Sequence, residues 1–115
     1  MAPPLESEVQ RSILELLKVL HIPAWRINSR VLLLPGKGGR LRPVRMGGVK
    51  GMADILALLP PGGRLVAIEC KRTGNHPTKD QSLFLEAVAH AGGLSLVAHS
   101  AQDVVQALAR EGWRG

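Results

Sequence analysis

Two apolar runs flank a tight turn in the stretch DILALLPPGGRLVAIECK, which extends from Asp54 to Lys71. The turn is Pro60–Gly63, because adjacent prolines and glycines mark reversals of the chain. The stretch therefore predicts a β-hairpin, with Asp54 near the outer end of one strand and Glu69 near the outer end of its partner. Side chains alternate between the two faces of a strand, so Glu69 and Lys71 are expected on one face and Cys70 on the opposite, apolar face.

The segments on either side of this hairpin predict one α/β domain over residues 1–115, with elements in the order αβββαβα. Capping patterns are expected to begin three helices. These patterns are Ser7 with Gln10, Thr78 with Gln81, and Ser100. Besides the two strands of the hairpin, strands are predicted at Ala24–Asn28 and Leu94–Ala98, an extended piece at Val31–Leu34, and a loop or flexible hairpin at Pro35–Gly51. The predicted inward stripes are Val9, Ile13, Leu16, Leu17 and Leu20 in the first helix, Phe84, Leu85, Val88 and Ala91 in the second, and Val104, Val105 and Leu108 in the third.

The charge of the chain points to an acidic partner. The 115 residues carry a formal net charge of +6, which favours nucleic acid. The positive charge is concentrated between Leu16 and Ala53, where no acidic residue occurs. The alternative is a solvated, solubilising surface. This basic segment ends at Asp54, the first acidic residue after Glu15. A positively charged segment that leads to a carboxylate is suited to bring a polyanion to a metal ion.

Several classes of protein are excluded or disfavoured. A single cysteine rules out an internal disulfide framework and a Cys-based zinc site, and Cys70 is expected to be a small core residue. No P-loop and no GxGxxG before a helix is present, so no nucleotide cofactor is expected. No apolar run has the length of a membrane span, and the N-terminus does not resemble a signal peptide. We therefore expect a cytoplasmic or otherwise intracellular protein that is neither secreted nor bound to a membrane.

The charged residues at the strand ends are suited to metal-assisted phosphate chemistry. Magnesium prefers oxygen ligands and often takes one or two carboxylates together with water and phosphate oxygens. Asp54 and Glu69 supply two carboxylates, and the backbone carbonyl of Cys70 is a candidate third ligand. Lys71 can orient an attacking water or stabilise the transition state. The alternative is a surface Glu–Lys pair, with Asp54 merely beginning a strand.

A family resemblance favours the metal site. The order of elements and the D…(D/E)xK pattern resemble the PD-(D/E)XK nuclease superfamily, and more closely its VRR-NUC (virus-type replication-repair nuclease) family. The resemblance is carried by Glu8, Trp25–Ser29, Gly51–Ile55, Ile68–Lys71, and Gln81 with Phe84. Ala53 stands where the family usually has proline, a position that bears no ligand.

The resemblance implies a restriction-endonuclease-like αβββαβ core, a small mixed sheet flanked by helices. It implies a Mg²⁺- or Mn²⁺-dependent DNA endonuclease that hydrolyses phosphodiester bonds, with Asp54 and Glu69 on the metal and Lys71 in catalysis. Glu8 is implied as a carboxylate near the metal, although an acid in the first turn of a helix also complements the dipole. Gln81 is a further candidate catalytic residue, and it is equally well explained as the capping partner of Thr78.

The expected substrate is branched DNA, with four-way (Holliday) junctions cut by a homodimer. The apolar piece Val31–Leu34 is a candidate for the dimer interface, although a place in the monomer core is the simpler interpretation. One alternative is a flap- or end-processing nuclease of the same fold, and another is a basic nucleic-acid-binding module without turnover. The candidate DNA-binding residues are Arg26, Asn28, Arg30, Lys37, Arg40, Arg42, Arg45, Lys50, Arg72 and His76.

Overall fold

A small mixed sheet flanked by helices forms the body of the protein, as the sequence predicts. The computed structural model describes residues 2–27, 31–45 and 50–114, and the side chains of Val31, Leu32 and Arg45 lie outside that description. The elements are α1 (Glu6–Val19), β1 (Ala24–Arg26), β2 (Val31–Pro35), β3 (Leu41–Arg45), β4 (Ile55–Leu59), β5 (Arg64–Cys70), α2 (Lys79–His90), β6 (Leu94–Ala98) and α3 (Ala101–Arg110).

The main sheet has four strands in the order β1-β4-β5-β6. The pairs β1–β4 and β4–β5 are antiparallel, and β5–β6 is parallel. The predicted hairpin at Asp54–Lys71 is therefore confirmed as β4 and β5. Its register pairs Ile55 with Ile68, so one further step along both strands brings Asp54 opposite Glu69.

Helices pack on both faces of this sheet, but β4 is fully covered on one face only, because Leu56 is half-buried and Leu58 is 37% exposed on the other. On one face, α1 and α3 bury Val9, Ile13 and Leu17 of α1 and Val104 and Leu108 of α3 against the sheet. Cys70 belongs to this core and is completely buried. On the other face, α2 packs on β5 and β6. The smaller core on that side consists of Ala53, Ala67, Leu85 and Val88, with Leu56, Phe84 and Val97 against it.

Two of the three predicted helix caps are confirmed. Thr78 and Gln81 form a reciprocal capping box at the start of α2, and the Ser100 hydroxyl accepts a hydrogen bond from the Asp103 amide at the start of α3. The Ser7 cap is wrong, because α1 begins earlier with Leu5 as its N-cap residue. The amide of Leu5 donates to Glu8 Oε1 over 2.9 Å, so Glu8 occupies the capping position that the prediction gave to Gln10.

The predicted inward faces of α2 and α3 need one correction each. Ala91 is exposed, because it lies at the C-cap where α2 ends against the glycine turn. Val105 is 39% exposed, and Ala107 is buried in the same helix instead. In α3 the buried residues follow the side of the helix that meets the sheet, and Val105, one position from Val104, falls outside it.

The segment after β1 forms a separate two-stranded sheet. Strands β2 and β3 pair only with each other among the described strands, and a short 3₁₀ turn at Lys37–Gly39 joins them. Of the two alternatives for Pro35–Gly51, the hairpin is observed over Pro35–Arg45, where β3 pairs with the predicted extended piece, and residues 46–49 lie outside the described part of the chain. No helix in residues 2–27, 31–45 and 50–114 is long and apolar enough to cross a membrane.

Candidate active site

Two carboxylates meet at the end of the β4–β5 hairpin. Asp54 immediately precedes β4 and is half-buried, while Glu69 is the next-to-last residue of β5. The Asp54 carboxylate accepts a hydrogen bond from the backbone amide of Cys70, with 2.8 Å between Oδ2 and N. The backbone carbonyl of Asp54 accepts from the amide of Ile27 over 2.7 Å. Asp54 is thus held between β1 and β5, with one carboxylate oxygen occupied by the backbone beside Glu69.

Glu69 is the most unusual residue in the described part of the chain. It is 0% exposed, and it is the one charged residue found among the buried side chains there. Neither Oε1 nor Oε2 has a hydrogen-bond partner among the described residues. Buried carboxylates are normally paired or hydrogen-bonded, because desolvating the charge is costly. A carboxylate that is buried without a partner is suited to hold a cation or a proton.

The environment of Glu69 favours the protonated form when no cation is present. Burial, reinforced by the neighbouring Asp54 carboxylate, raises the pKa of Glu69 from 4.5 to about 8. Asp54 acts by charge repulsion, and the positive charge of Lys71 opposes the rise. Two neighbouring carboxyl groups that repel each other in this way cannot both ionise freely. A divalent cation between them would replace that proton.

Lys71 stands directly after β5 and is half-buried. Its amide donates to the carbonyl of Ala98 over 3.0 Å, which extends the pairing with β6 by one residue. His99 Nδ1 lies 3.1 Å from the Lys71 carbonyl oxygen, a hydrogen bond when that nitrogen carries the proton. The backbone of Lys71 is therefore fixed by the end of β6, while its ammonium is near enough to Glu69 to oppose the rise in the pKa of that carboxyl group.

A polar cleft of about 190 Å³ opens beside Asp54. The start of α2 forms one wall, and the segment before β4 forms the other. Gln81 belongs to the α2 wall, and its side-chain oxygen accepts a hydrogen bond from the Thr78 amide over 2.8 Å, which confirms its capping role. Its position at the cleft is also compatible with a catalytic role. The lining residues are Lys50, Gly51, Met52, Asp54, Thr78, Asp80 and Gln81.

Gly51 holds the two walls of the cleft together. It has a φ of +81°, and a Cβ built there would lie 2.5 Å from the backbone carbonyl carbon of Asp80. Only glycine fits this approach. An exposed ion pair between Lys50 Nζ and Asp80, 3.2 Å long, spans the same two segments. A glycine at position 51 is the feature of the sequence that could have indicated a close approach, although it does not indicate which segment approaches.

The donor set fits a hard divalent cation only in part. Asp54 and Glu69 are two oxygen ligands on adjacent strands, and Mg²⁺ commonly uses no more than two carboxylates together with waters. No group of three or more His, Cys, Asp or Glu side chains in the described part of the chain is placed to hold a metal. Water, the Cys70 carbonyl or a phosphate oxygen would have to complete the coordination. The unpartnered oxygens of Glu69 are the observation that favours a cation here.

The first helix presents a different acid from the one expected. Glu8 is exposed and caps its own helix, and the structure does not bring it together with Asp54 and Glu69. Glu6 is half-buried. Burial raises the pKa of the Cys70 thiol, and the charges of Asp54, Glu69 and Glu6 add to that rise. Helical spacing could have identified it, since Glu6 extends the buried stripe of Val9 and Ile13 by one turn.

The candidate DNA-binding residues fall into three groups. Lys37, Arg40 and Arg42 are exposed on the β2–β3 hairpin, which forms a sheet of its own in the described part of the chain. Arg26, Lys50, Arg72 and His76 belong to the body. Of these, Lys50 lines the cleft, Arg26 lies near enough to lower the pKa of Cys70, Arg72 has a buried Nε without a partner among the described residues, and His76 is exposed. Asn28, Arg30 and the Arg45 side chain lie outside the described residues.

Comparison with known proteins gives no further identification. No family model, no curated protein and no solved structure matches this chain. The interpretation of the site therefore depends on the residues and their geometry.

Proposed function

We propose that this protein is a metal-dependent phosphodiester hydrolase that cleaves DNA, an endonuclease of the PD-(D/E)XK type with a VRR-NUC-like arrangement of site residues. The observation that carries the proposal is Glu69, buried without a hydrogen-bond partner and placed by the strand register opposite Asp54. The restriction-endonuclease-like core is part of the proposal. It is supported by the order of β4, β5, α2 and β6 around the carboxylates.

Each residue of the site has a task in this reaction. Asp54 and Glu69 would hold Mg²⁺ or Mn²⁺. When bound, such an ion lowers the pKa of a coordinated water and neutralises the charge that develops at phosphorus. The Cys70 amide fixes the orientation of Asp54 through its 2.8 Å hydrogen bond. Lys71 provides a positive charge beside Glu69 that can orient the attacking water and stabilise the transition state.

The exposed basic residues are the reason for proposing a nucleic acid as the substrate. Lys37, Arg40 and Arg42 on the hairpin and Arg26 at the end of β1 are exposed cations that can contact DNA phosphates. Contacts of this kind position a nucleic acid without reading its sequence. We propose that the substrate is structured DNA and that a homodimer cuts four-way junctions. The alternative within the same fold is a flap- or end-processing nuclease.

A nucleic-acid-binding module without turnover is the alternative from another class. Such a module would use the basic residues and would have no need for Glu69 to remain ionisable in a buried position. The cost of burying an unpartnered carboxylate favours a catalytic site over this alternative.

The test is a cleavage assay with Mg²⁺ or Mn²⁺ on linear, flap, splayed and four-way DNA substrates. We expect cleavage by the wild type and none by Asp54→Asn or Glu69→Gln, while DNA affinity is retained. Lys71→Ala should bind DNA normally and turn over much more slowly. Glu86→Gln is the matched control, because Glu86 is exposed on α2. DNA binding without cleavage on any substrate would favour the binding module and overturn the proposal.

A further inference from the structure

An exposed tryptophan lies on the same side of the sheet as the candidate active site. Trp25 is the middle residue of β1, which is an edge strand of the four-stranded sheet in the described chain. It is paired with Leu56 of β4, and Leu56 packs against the smaller core under α2. The cleft beside Asp54 has the start of α2 as one wall. The cleft and the Trp25 side chain are therefore both on the α2 side of the sheet.

The strand register brings Trp25 close to Asp54. Strands β1 and β4 stay paired beyond Arg26, because the Ile27 amide donates to the Asp54 carbonyl over 2.7 Å. Asp54 is therefore opposite Ile27, and Trp25 is two residues before Ile27 along the chain. Diagonal neighbours of this kind across an antiparallel pair lie about 7–8 Å apart, a distance that an aromatic side chain can span. The indole is thus next to the place where Asp54 would hold a metal.

The indole of Trp25 is open to solvent. Its exposed fraction is 53%, because α2 packs mainly on β5 and β6 in the described chain. Leu56 and Leu58 on β4 extend this apolar surface, one of them half-buried and the other exposed. Exposed apolar surface beside a polar cleft marks a site of interaction. Tryptophan is suited to such sites, since it offers a large rigid ring to a ligand.

The charge around Trp25 favours a nucleic acid as its partner. The chain carries a formal net charge of +6. Arg26 directly follows Trp25 and is exposed, and Lys71 is near Glu69. Neither cation forms an ion pair within the described part of the chain. A nucleic acid satisfies both features, because its phosphates bind cations and its bases stack on aromatic side chains. An apolar protein surface would use the tryptophan and leave the cations without partners.

We propose that Trp25 is the stacking platform for an unpaired base of the DNA strand whose scissile phosphate lies at Asp54 and Glu69. The inference rests on the proposed function for the position of the cut, and it adds a feature that the substrate must carry.

The spacing of nucleotides defines that feature. Nucleotides of one strand advance by about 3.4 Å along a duplex, so a residue about 7–8 Å from Asp54 meets a base one or two nucleotides from the cut. Within a duplex the faces of that base are covered by its neighbours, and turning it outward is least costly when it is unpaired. A fork, a flap or the centre of a junction supplies such a base.

The fluorescence of Trp25 tests this contact without cleavage. Trp113→Phe leaves Trp25 as the one tryptophan, since the chain has two. In EDTA and at saturating concentration, a splayed duplex should quench the emission of this variant, because a stacked base quenches an indole. A linear duplex should quench it less, and a splayed duplex whose unpaired nucleotides are abasic should leave it unchanged.

Trp25→Phe is the matched control for the fluorescence. Its remaining tryptophan, Trp113, is half-buried and donates from Nε1 to the Pro60 carbonyl over 3.3 Å, beyond the end of β4 that is farther from Asp54. The emission of this control should not change with any of the three DNA substrates.

The affinity of Trp25 variants gives the size of the contact. Loss of one base–aromatic stack weakens binding by about 5- to 140-fold. Trp25→Ala should therefore bind the splayed duplex more weakly by this factor and the linear duplex nearly as the wild type does. Trp25→Phe keeps an aromatic ring and should restore most of the affinity. Circular dichroism checks folding, and if Trp25→Ala is unfolded, the comparison of splayed and abasic DNA on the wild type takes its place.

The outcomes separate the stacking from the proposed function, because cleavage with Mg²⁺ is measured on its own. Quenching by the splayed duplex without cleavage of any DNA would retain the stacking and overturn the proposed function. Cleavage without quenching would overturn the stacking and retain the proposed function. Equal binding of the splayed duplex by the wild type and folded Trp25→Ala, or of splayed and abasic DNA by the wild type, would also overturn the stacking.

Discussion

Replacing Glu69 with glutamine should stabilise the metal-free protein at alkaline pH. The Glu69 carboxyl is buried, unpartnered and beside Asp54, and its pKa is raised from 4.5 to about 8. Between these two values the folded state binds a proton that the unfolded state has released. Stability therefore falls as the pH rises from about 4.5 to about 8 and stays constant above that range. Glutamine keeps the shape of the side chain and cannot ionise, so this pH dependence should disappear.

The magnitude follows from the size of the shift. One pKa unit corresponds to about 1.4 kcal/mol, so the shift sets a ceiling of about 5 kcal/mol. Relaxation around the charge and entry of water lower that ceiling, and we expect about 3 kcal/mol. The side-chain amide that Glu69→Gln introduces can also donate to Asp54, which helps to satisfy the pair. At pH 5 the variant and the wild type should be nearly equal in stability, and at pH 8.5 the variant should be the more stable.

The assay is urea unfolding followed by circular dichroism, in EDTA, at intervals between pH 5 and pH 8.5 and at one protein concentration. Glu86→Gln on the exposed side of α2 is the control and should follow the wild type. A stability difference between Glu69→Gln and the wild type that does not change across this range would refute the reasoning, because it would show that Glu69 ionises as readily as an exposed acid.

Two further predictions concern the β2–β3 hairpin and the cleft beside Asp54. Replacing both Arg40 and Arg42 with glutamine should weaken binding to all DNA sequences alike. The slope of log K against log salt concentration should become shallower by up to about 1.8, at about 0.9 for each arginine that no longer binds a phosphate. An unchanged slope would show that the β2–β3 hairpin is only a solvated surface. Gly51→Ala should abolish cleavage and destabilise the protein by about 1–3 kcal/mol, because its Cβ would lie 2.5 Å from backbone atoms of Asp80. Gly62→Ala, where a Cβ meets nothing within 4 Å, is the control and should be neutral in both assays.

The parts of the fold that the sequence predicted well are those in which local signals agree with the tertiary structure. The Pro60–Gly63 turn lies between two apolar runs and fixes β4 and β5, and their register then brings Asp54 opposite Glu69. Thr78 and Gln81 form their capping box because both halves of that motif are local in sequence. The strand alternation likewise placed Cys70 in the core, where it is buried.

The parts that sequence reasoning missed depend on which segments approach each other. The start of α1 contains several residues able to cap, and the packing of the helix on the sheet determines that Leu5 and Glu8 form the cap in place of Ser7. That choice turns Glu8 outward and Glu6 inward. The close approach of Gly51 to α2 is a long-range contact that no local pattern encodes. The separation of β2 and β3 from the main sheet also depends on long-range contacts, because their sequence fits a strand in either sheet.

Binding of Mn²⁺ to the DNA-free protein tests the central claim most directly, since the claim is that Asp54 and Glu69 together form a divalent-cation site. Electron paramagnetic resonance of free Mn²⁺ during a titration would report the bound fraction for the wild type, Asp54→Asn, Glu69→Gln and Glu8→Gln. We predict saturable binding by the wild type and by Glu8→Gln, and its loss in Asp54→Asn and Glu69→Gln. Equal binding by the wild type and Glu69→Gln, or no binding by the wild type at millimolar Mn²⁺, would contradict the account.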